Sequence, residues 1–226
     1  MAPAEPHAIR LVRHLRRPDQ AAPILLVLLP GVNIRAEDFV AHDFVAMLQA
    51  RADIVDLLIA EPDIDFYLDG SIARRLETML AEETPRYRQL WLGGISLGAL
   101  GALLAAAGGR IPVDGLLLLA PFIGVPGIIA EIERAGGFPT WQPGAIASND
   151  GERRVCAWLK TYIETQACHP ILQLGYGNTD RFAPASRLLA GGLPPAQCHI
   201  EAGGHDWPTW EALWARILDA RPFIET

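Results

Sequence analysis

The fold is decided by residues 89–109, which read QLWLGGISLGALGALLAAAGG. This stretch opens with apolar residues typical of a buried strand and closes with an alanine- and leucine-rich run typical of a helix. Between them lies the pentapeptide Gly94-Ile95-Ser96-Leu97-Gly98, whose glycines permit a tight turn and a close approach of neighbouring backbone. A serine on such a strand-to-helix turn stands clear of the sheet, beside the free N–H groups of a helix N-terminus. The stretch therefore predicts a hydroxyl at Ser96 that can act as a nucleophile.

Strands and helices alternate on either side of this stretch. Repeated strand–helix units of this length indicate an α/β fold with a mostly parallel sheet of about six or seven strands and helices on both faces. We expect a three-layer αβα architecture and a single domain over residues 1–226. Further strands are predicted over 24–29, 53–60, 116–120, 171–175 and 198–201, with 9–15 as an edge strand, and further helices over 71–83, 128–134, 153–163 and 208–220.

One long stretch, residues 122–170, breaks the alternation because it contains no predicted strand. It follows the carboxyl end of a strand, which is where α/β sheets place their ligands. Two interpretations are open: ordinary connecting structure, or a cap over a substrate pocket. In the second case Phe122, Ile123 and Trp141 are candidate substrate-binding residues, since their side chains would line an apolar cleft.

The composition narrows the classes of partner and compartment. The chain carries a formal net charge of −7, which argues against nucleic acid and anionic membranes as partners. No apolar run approaches the roughly 18 residues that would span a membrane, and residues 1–17 lack the apolar core of a signal peptide. Cys156, Cys168 and Cys198 are odd in number and show no CxxC spacing, so we expect reduced thiols, no metal site and a cytoplasmic location. The oligomeric state is left open.

A serine nucleophile needs a base, and the best placed of the six histidines is His205. It lies in a glycine-containing loop directly after the last predicted strand, from which its imidazole can reach the strand ends. His199 falls inside that strand, where a packed histidine is the simpler interpretation. His169 precedes a strand at the opposite end of the sheet.

The carboxylate that orients the base should follow another strand, and Asp180 satisfies this requirement. It ends the segment Gly175-Tyr176-Gly177-Asn178-Thr179-Asp180 after the predicted strand 171–175. An alternative role for Asp180 is the N-cap of the helix near 184–189. Asp206 is next to His205 in sequence, but neighbouring loop residues seldom orient each other's side chains. The predicted order along the chain is therefore serine, aspartate, histidine.

Acyl transfer also needs donors for a tetrahedral oxyanion, usually two backbone N–H groups. The N–H of Leu97, at the start of the helix after Ser96, is one candidate. The other should come from the loop after the first buried strand, where Val32 is the first choice and Asn33 is close behind; Asn33 is also a candidate substrate-binding residue. Trp207, Trp210 and Trp214 recur at helical spacing, which favours core packing of the last helix over substrate binding.

Taken together, these landmarks resemble those of the α/β-hydrolase superfamily over residues 22–220. Pro30-Gly31, the pentapeptide at Ser96, the segment 175–180 and Gly203-Gly204-His205-Asp206-Trp207 stand in the superfamily's order. Within the superfamily, the short core resembles the small carboxylesterases, and the segment 203–207 resembles the putative-esterase branch. The resemblance implies a serine hydrolase that forms an acyl-enzyme on a small-molecule ester, with no metal and no organic cofactor. Many members have His-Gly where this chain has Pro30-Gly31, so the second oxyanion donor is the less certain assignment.

The leading hypothesis is therefore hydrolysis of carboxylic esters by Ser96, His205 and Asp180. A thioesterase or an acyltransferase would use the same three residues on a different acceptor. A non-catalytic ligand-binding protein on a hydrolase scaffold is the alternative from another class, with Ser96 retained for the geometry of the turn. Neither the acyl group nor the alcohol can be read from the sequence.

Overall fold

The structure of the protein, a computed structural model, describes residues 8–17, 19–165 and 170–223. Its centre is a seven-stranded sheet, counted over these residues, in the order β1-β3-β2-β4-β5-β6-β7. Strand β1 is antiparallel to β3, and all the other pairs are parallel. The strands are β1 (Arg10–His14), β2 (Ile24–Leu29), β3 (Val55–Glu61), β4 (Gln89–Ile95), β5 (Gly115–Leu119), β6 (Ile171–Gly177) and β7 (Cys198–Glu201).

Helices cover both faces of the sheet, which explains why every residue of β2 and β5 is buried. Helices α3 to α8 share a core with one face, and α1, α2 and α9 share a core with the other. The expected three-layer architecture with a mostly parallel sheet is thus confirmed. The helices are α1 (Ala36–Ala41), α2 (Phe44–Arg51), α3 (Asp65–Leu68), α4 (Ile72–Glu83), α5 (Leu97–Gly108), α6 (Pro126–Arg134), α7 (Gly151–Glu164), α8 (Ala183–Ala190) and α9 (Trp207–Asp219).

The stretch 122–170 contributes α6 and α7, and its described residues form no strand. Helix α7 packs against α5 and buries Val155, Leu159 and Tyr162 in the core on that side of the sheet. It therefore belongs to the helical layer of the domain. Cys168 and His169 lie outside the described residues, so the expectations for these two residues have no structural counterpart.

Two of the three candidate pocket residues from this stretch lie in the core instead. Ile123 and Trp141 are each 1% exposed and pack in the core beside α5 and α7. The Trp141 indole donates to Glu131 Oε1 at 2.9 Å, and Arg153 also binds Glu131. Because an apolar side chain gains most when it is fully removed from water, these two residues serve packing and do not face the cavity described below.

No helix in the described part of the chain is both long enough and apolar enough to cross a bilayer. The same residues contain no group of three or more histidine, cysteine or acidic side chains arranged to hold a metal ion. Cys156 is a free, buried thiol, and burial raises its pKa to about 12, which keeps it protonated and unreactive.

Candidate active site

Ser96 is the single residue between β4 and α5, and its backbone is strained. Its φ of 56° and ψ of −116° lie outside the regions that residues with a side chain normally adopt. Such strain costs on the order of 1–3 kcal/mol and is retained where the surrounding structure enforces it, typically at functional sites. The serine is only 5% exposed, and its peptide groups are tied to the neighbouring strand: its N–H donates to the carbonyl of Leu119 at 3.0 Å.

The glycines around Ser96 are required by close backbone packing. A Cβ on Gly94 would lie 2.4 Å from the carbonyl carbon of Gly98, across the turn. A Cβ on Gly98 would lie 2.1 Å from the carbonyl oxygen of Leu29, at the end of β2. Because any side chain at either position would overlap backbone, the pentapeptide pattern has a steric cause in this fold.

His205 and Asp180, the predicted base and the carboxylate predicted to orient it, are in hydrogen-bonding contact. The His205 Nδ1 and Asp180 Oδ2 atoms are 2.8 Å apart. The Asp180 side chain is 1% exposed and that of His205 13%, so the pair is shielded from water. The other carboxylate oxygen of Asp180 accepts from the backbone N–H of Phe182 at 2.7 Å, just before α8. Asp180 is not the N-cap of α8, which is Phe182, but its carboxylate bridges the His205 ring and the backbone at that N-cap.

Two packed loops bring these residues together. Asp180 follows β6 and His205 follows β7, and both loops leave the carboxyl edge of the sheet. The backbone N–H and the hydroxyl of Thr179 both donate to the carbonyl of Gly203, at 3.0 and 2.7 Å. A Cβ on Gly177 would lie 2.4 Å from that same carbonyl oxygen. This contact fixes the spacing between the carboxylate and the base.

Asp206, the neighbour of the base, has a separate role. Its Oδ1 accepts from the backbone N–H of Thr209 at 3.1 Å and from the Thr209 hydroxyl at 2.6 Å, which caps α9. The Thr209 hydroxyl and N–H, which stabilise the charged form, lower the pKa of Asp206 below its usual value. The Asp206 carboxylate therefore caps the start of α9. This agrees with the choice of Asp180 over Asp206 as the residue predicted to orient His205.

Ser96 and His205 open into one cavity of about 390 Å³ at the carboxyl edge of the sheet. Larger clefts exist, such as one of about 510 Å³ beside β1 and α4, but among the described residues no serine, cysteine or histidine lines that cleft. Chemistry therefore singles out the smaller cavity. It is lined by Val32, Ile34, Ser96, Arg181, His205, Asp206, Trp207 and Trp210.

The two candidate oxyanion donors flank Ser96. Leu97 is the first residue of α5, so its N–H has no partner within the helix. Val32 follows Gly31, where a Cβ would lie 3.2 Å from the Cβ of Ser96, so this loop runs alongside the serine. Asn33 is exposed and has a positive φ of 61°; it is not among the residues lining the cavity.

Aromatic rings enclose the base. Phe182 and Trp210 both meet the His205 ring edge-on, with ring centroids 5.1 Å away in each case. Phe122, the third candidate from the 122–170 stretch, packs edge-on against Phe182 at 5.4 Å. Phe122 therefore contacts Phe182, and it is the Phe182 ring that packs against His205.

Two lining residues were not identified from the sequence, and two tryptophans were expected to pack in the core only. Trp214 is fully buried, and Trp210 is a core residue at 5% exposure with Trp207 packed against the same core, as predicted; Trp207 and Trp210 also line the cavity. Ile34 and Arg181 were not singled out at all. Arg181 directly follows Asp180, and Trp207 stands two residues after His205. Closeness in sequence to Asp180 and His205 was therefore the signal that could have identified them as lining residues.

Comparison with known proteins places this fold. No protein-family profile matches the chain, and no curated protein matches it. S-formylglutathione hydrolase from Staphylococcus aureus superposes with a TM-score of 0.61 at 11% identity, over 96% of this chain and 99% of that one. Est1E from Butyrivibrio proteoclasticus superposes with a TM-score of 0.58 at 19% identity, over 94% of this chain and 95% of that one. An α/β serine hydrolase without lid from Xanthomonas campestris superposes with a TM-score of 0.51 at 16% identity, over 93% of this chain and 84% of that one. The chain therefore has the α/β-hydrolase fold.

Proposed function

We propose that this protein is a serine hydrolase of carboxylic esters, with Ser96 as nucleophile, His205 as base and Asp180 as the acid that orients the base. The observation that carries the proposal is the 2.8 Å contact between His205 and Asp180 beside a strained serine in the same cavity. All three residues belong to loops or turns at the carboxyl edge of the sheet, where this fold supports catalysis.

The chemistry follows from the roles of these groups. Asp180 accepts a hydrogen bond from the Nδ1–H of His205, which leaves Nε2 free to take the proton of the Ser96 hydroxyl. The serine Oγ then attacks the ester carbonyl, and the N–H groups of Leu97 and Val32 stabilise the oxyanion. When the tetrahedral intermediate collapses, the imidazolium gives its proton to the departing alcohol and an acyl-enzyme remains. His205 then deprotonates a water molecule, whose oxygen attacks the acyl group. Collapse of this second intermediate releases the carboxylic acid product, and His205 returns the proton to Ser96 Oγ.

The cavity supports a small substrate. Its volume of about 390 Å³ is at the lower end of the range for small-molecule sites. Val32, Ile34, Trp207 and Trp210 give it an apolar wall, which favours short acyl or aromatic groups. Phe122 is retained as a residue that packs on Phe182 behind His205, and Asn33 as a candidate beside Val32.

Thioester hydrolysis is a second candidate, because one of the similar solved structures is a hydrolase of S-formylglutathione, a thioester. The same three residues would act on either bond. Competition between an oxygen ester and a thioester of the same acyl group, with alcohols added as alternative acceptors, separates esterase, thioesterase and acyltransferase activity by their products.

The test compares S96A with S148A on p-nitrophenyl esters of graded acyl length. Loss of the nucleophile should lower kcat by about 10⁴-fold or more. Ser148 is exposed and lies outside the cavity, so S148A should retain the activity of the original protein. Undiminished hydrolysis by S96A would rule out Ser96 as nucleophile. Inactivity of the original protein towards every ester and thioester would favour the ligand-binding alternative.

A further inference from the structure

Arg181 is a cation in the wall of the candidate active site. It directly follows Asp180, is exposed, and lines the cavity together with Ser96 and His205. Asp206 is the other residue of formal charge in this wall, apart from the base itself, and its Oδ1 is bound to the N–H and hydroxyl of Thr209. The Asp206 carboxylate is thus engaged at the start of α9, and within the described residues it forms no ion pair with Arg181.

The guanidinium is positioned but not neutralised. Within the described residues, no acidic oxygen lies within 4.0 Å of it. By contrast, Arg35, in the loop that follows Val32, is paired with Glu61 at 2.7 Å. The Arg181 Cζ lies 4.9 Å from the centre of the Phe182 ring, in cation–π geometry. Its position is thus held by an aromatic contact that leaves its N–H donors available.

Phe182 also sets the distance between this cation and the catalytic base. The same ring meets the His205 imidazole edge-on at 5.1 Å. The guanidinium is therefore no farther from the imidazole than these two centroid distances added together. Because Arg181 and Ser96 line the same cavity of about 390 Å³, an anionic group on an ester bound at Ser96 can approach the guanidinium.

We propose that Arg181 binds an anionic group on the substrate, a carboxylate or a phosphate, and so directs the site towards negatively charged esters. This inference rests on the proposed hydrolase function. A guanidinium presents planar, paired N–H donors that match the oxygens of either group. The net charge of −7 makes the molecule as a whole repel anions, so preference for an anionic ester requires a local cation such as this one.

Two substrate pairs test the proposal and separate the two sides of the scissile bond. The acyl-side pair is mono-p-nitrophenyl glutarate and its methyl ester, and the alcohol-side pair is 4-acetoxybenzoate and its methyl ester. For each pair, the measured quantity is the ratio of kcat/KM for the anionic ester to that for the neutral ester. The variants are R181M, R181K and, as a matched control, R187M; Arg187 is an exposed arginine of α8 outside the cavity.

R181M should lower this ratio by roughly tenfold to a hundredfold for the pair whose anion reaches Arg181, which is the loss expected for charge-assisted hydrogen bonds. The ratio for R181K should lie between those of the original protein and R181M, because a lysine keeps the charge and loses the paired N–H donors. Added salt should lower the ratio in the original protein and much less in R181M. R187M should leave the ratio unchanged. Ratios in R181M within about twofold of the original for both pairs would overturn the proposal.

A binding measurement decides the matter even without hydrolysis. Trp207 and Trp210 line the cavity, so their fluorescence reports occupancy in a titration with glutarate, using the neutral diamide for comparison. Saturable glutarate binding that is lost in R181M supports the anion site, even if every ester proves inert and the hydrolase proposal fails. Equal glutarate binding by the original protein and R181M would overturn the role of Arg181.

Discussion

At the scale of single residues, two aspartates close together in the structure have different functions because their hydrogen bonds differ. Asp180 gives one oxygen to His205 Nδ1 and the other to a backbone N–H. Asp206 gives its Oδ1 to Thr209 at the start of α9. An aspartate that orients the imidazole acts on the rate of reaction, while an aspartate at an N-cap acts on the stability of the helix.

Substituting these aspartates should therefore produce different losses. D180N should lower kcat by about 10²- to 10⁴-fold, because an asparagine can no longer hold the imidazole in the tautomer that accepts the Ser96 proton. D206A should cost about 0.5–2 kcal/mol in the free energy of unfolding, which is the usual effect of removing an N-cap. Steady-state kinetics and urea denaturation of both variants measure the two effects. A larger loss of kcat in D206A than in D180N would contradict the assignment.

That Ser96, Asp180 and His205 come together could be predicted from the sequence. Ser96, Asp180 and His205 each follow a recognisable strand, and a parallel sheet brings such positions to one edge. The pocket wall was harder to predict because it depends on side-chain direction. Ile123 and Trp141 were expected to face a cleft on account of their apolar character, but the same character suits the core in which they lie.

At the scale of elements, the strand–turn–helix unit around Ser96 depends on contacts between backbones. Gly98 lies on the first turn of α5, directly against the carbonyl oxygen of Leu29 in β2. Close approach of this helix to the sheet is what presents Ser96 at the sheet edge. The strands and the long helices were predictable from the apolar pattern, since they bury continuous or periodic faces.

G98A should therefore destabilise the protein by about 2–4 kcal/mol, because its Cβ has no room beside Leu29 and the helix must shift. G127A is the matched control: Gly127 lies in the first turn of α6, and a Cβ there would meet no atom within 4 Å. It should be neutral or stabilise by up to about 1 kcal/mol. Thermal melting of both variants checks this prediction. A G98A variant as stable as G127A would show that the packing of α5 on β2 tolerates a side chain.

Three short helices, α1, α2 and α3, were not predicted from the sequence, because they are short and because contacts between residues distant in sequence hold the turn between α1 and α2. Each is eight residues or shorter, which leaves too little periodicity to recognise. The turn between α1 and α2 is held to α9 by His42, which stacks on Trp207 at 4.0 Å and binds Glu211 at 2.6 Å. This stacking fixes an indole in the cavity wall, and no local pattern indicates a contact between positions so far apart.

At the scale of the whole molecule, the described part of the 122–170 stretch is integrated into the domain. Helix α7 packs on α5, and none of the described residues of this stretch is among those that line the cavity around Ser96. Of the two interpretations open from the sequence, we therefore favour connecting structure over a cap. Composition could not distinguish them, because both need apolar residues.

Stability of the whole fold should fall as the pH drops below about 6.5, the ordinary pKa of an unfolded histidine. Burial lowers the pKa of His199 and of His14, so the native state holds both in the neutral form. Above the unfolded pKa neither residue costs stability. As the pH falls through the window between the unfolded and folded pKa values, protonation favours the unfolded chain and stability is lost.

The His199 contribution can be isolated with H199Q. His199 Nε2 lies 2.7 Å from Gln173 Oε1 in the interior, and glutamine supplies a polar group that does not titrate. Urea denaturation of the original protein and H199Q at about pH 7.5 and about pH 5.5 should show a smaller loss on acidification in the variant. An equal loss in both proteins would mean that His199 titrates alike in the folded and unfolded states.

The central claim, that Ser96 is an activated nucleophile, is tested most directly by covalent labelling. The original protein is treated with a fluorophosphonate, digested, and analysed by mass spectrometry. We predict a single phosphonyl adduct on Ser96, no adduct in S96A, and much slower labelling in H205A, because the base must remove the serine proton. An original protein that remains unlabelled, or a label that persists undiminished in S96A, would contradict the account.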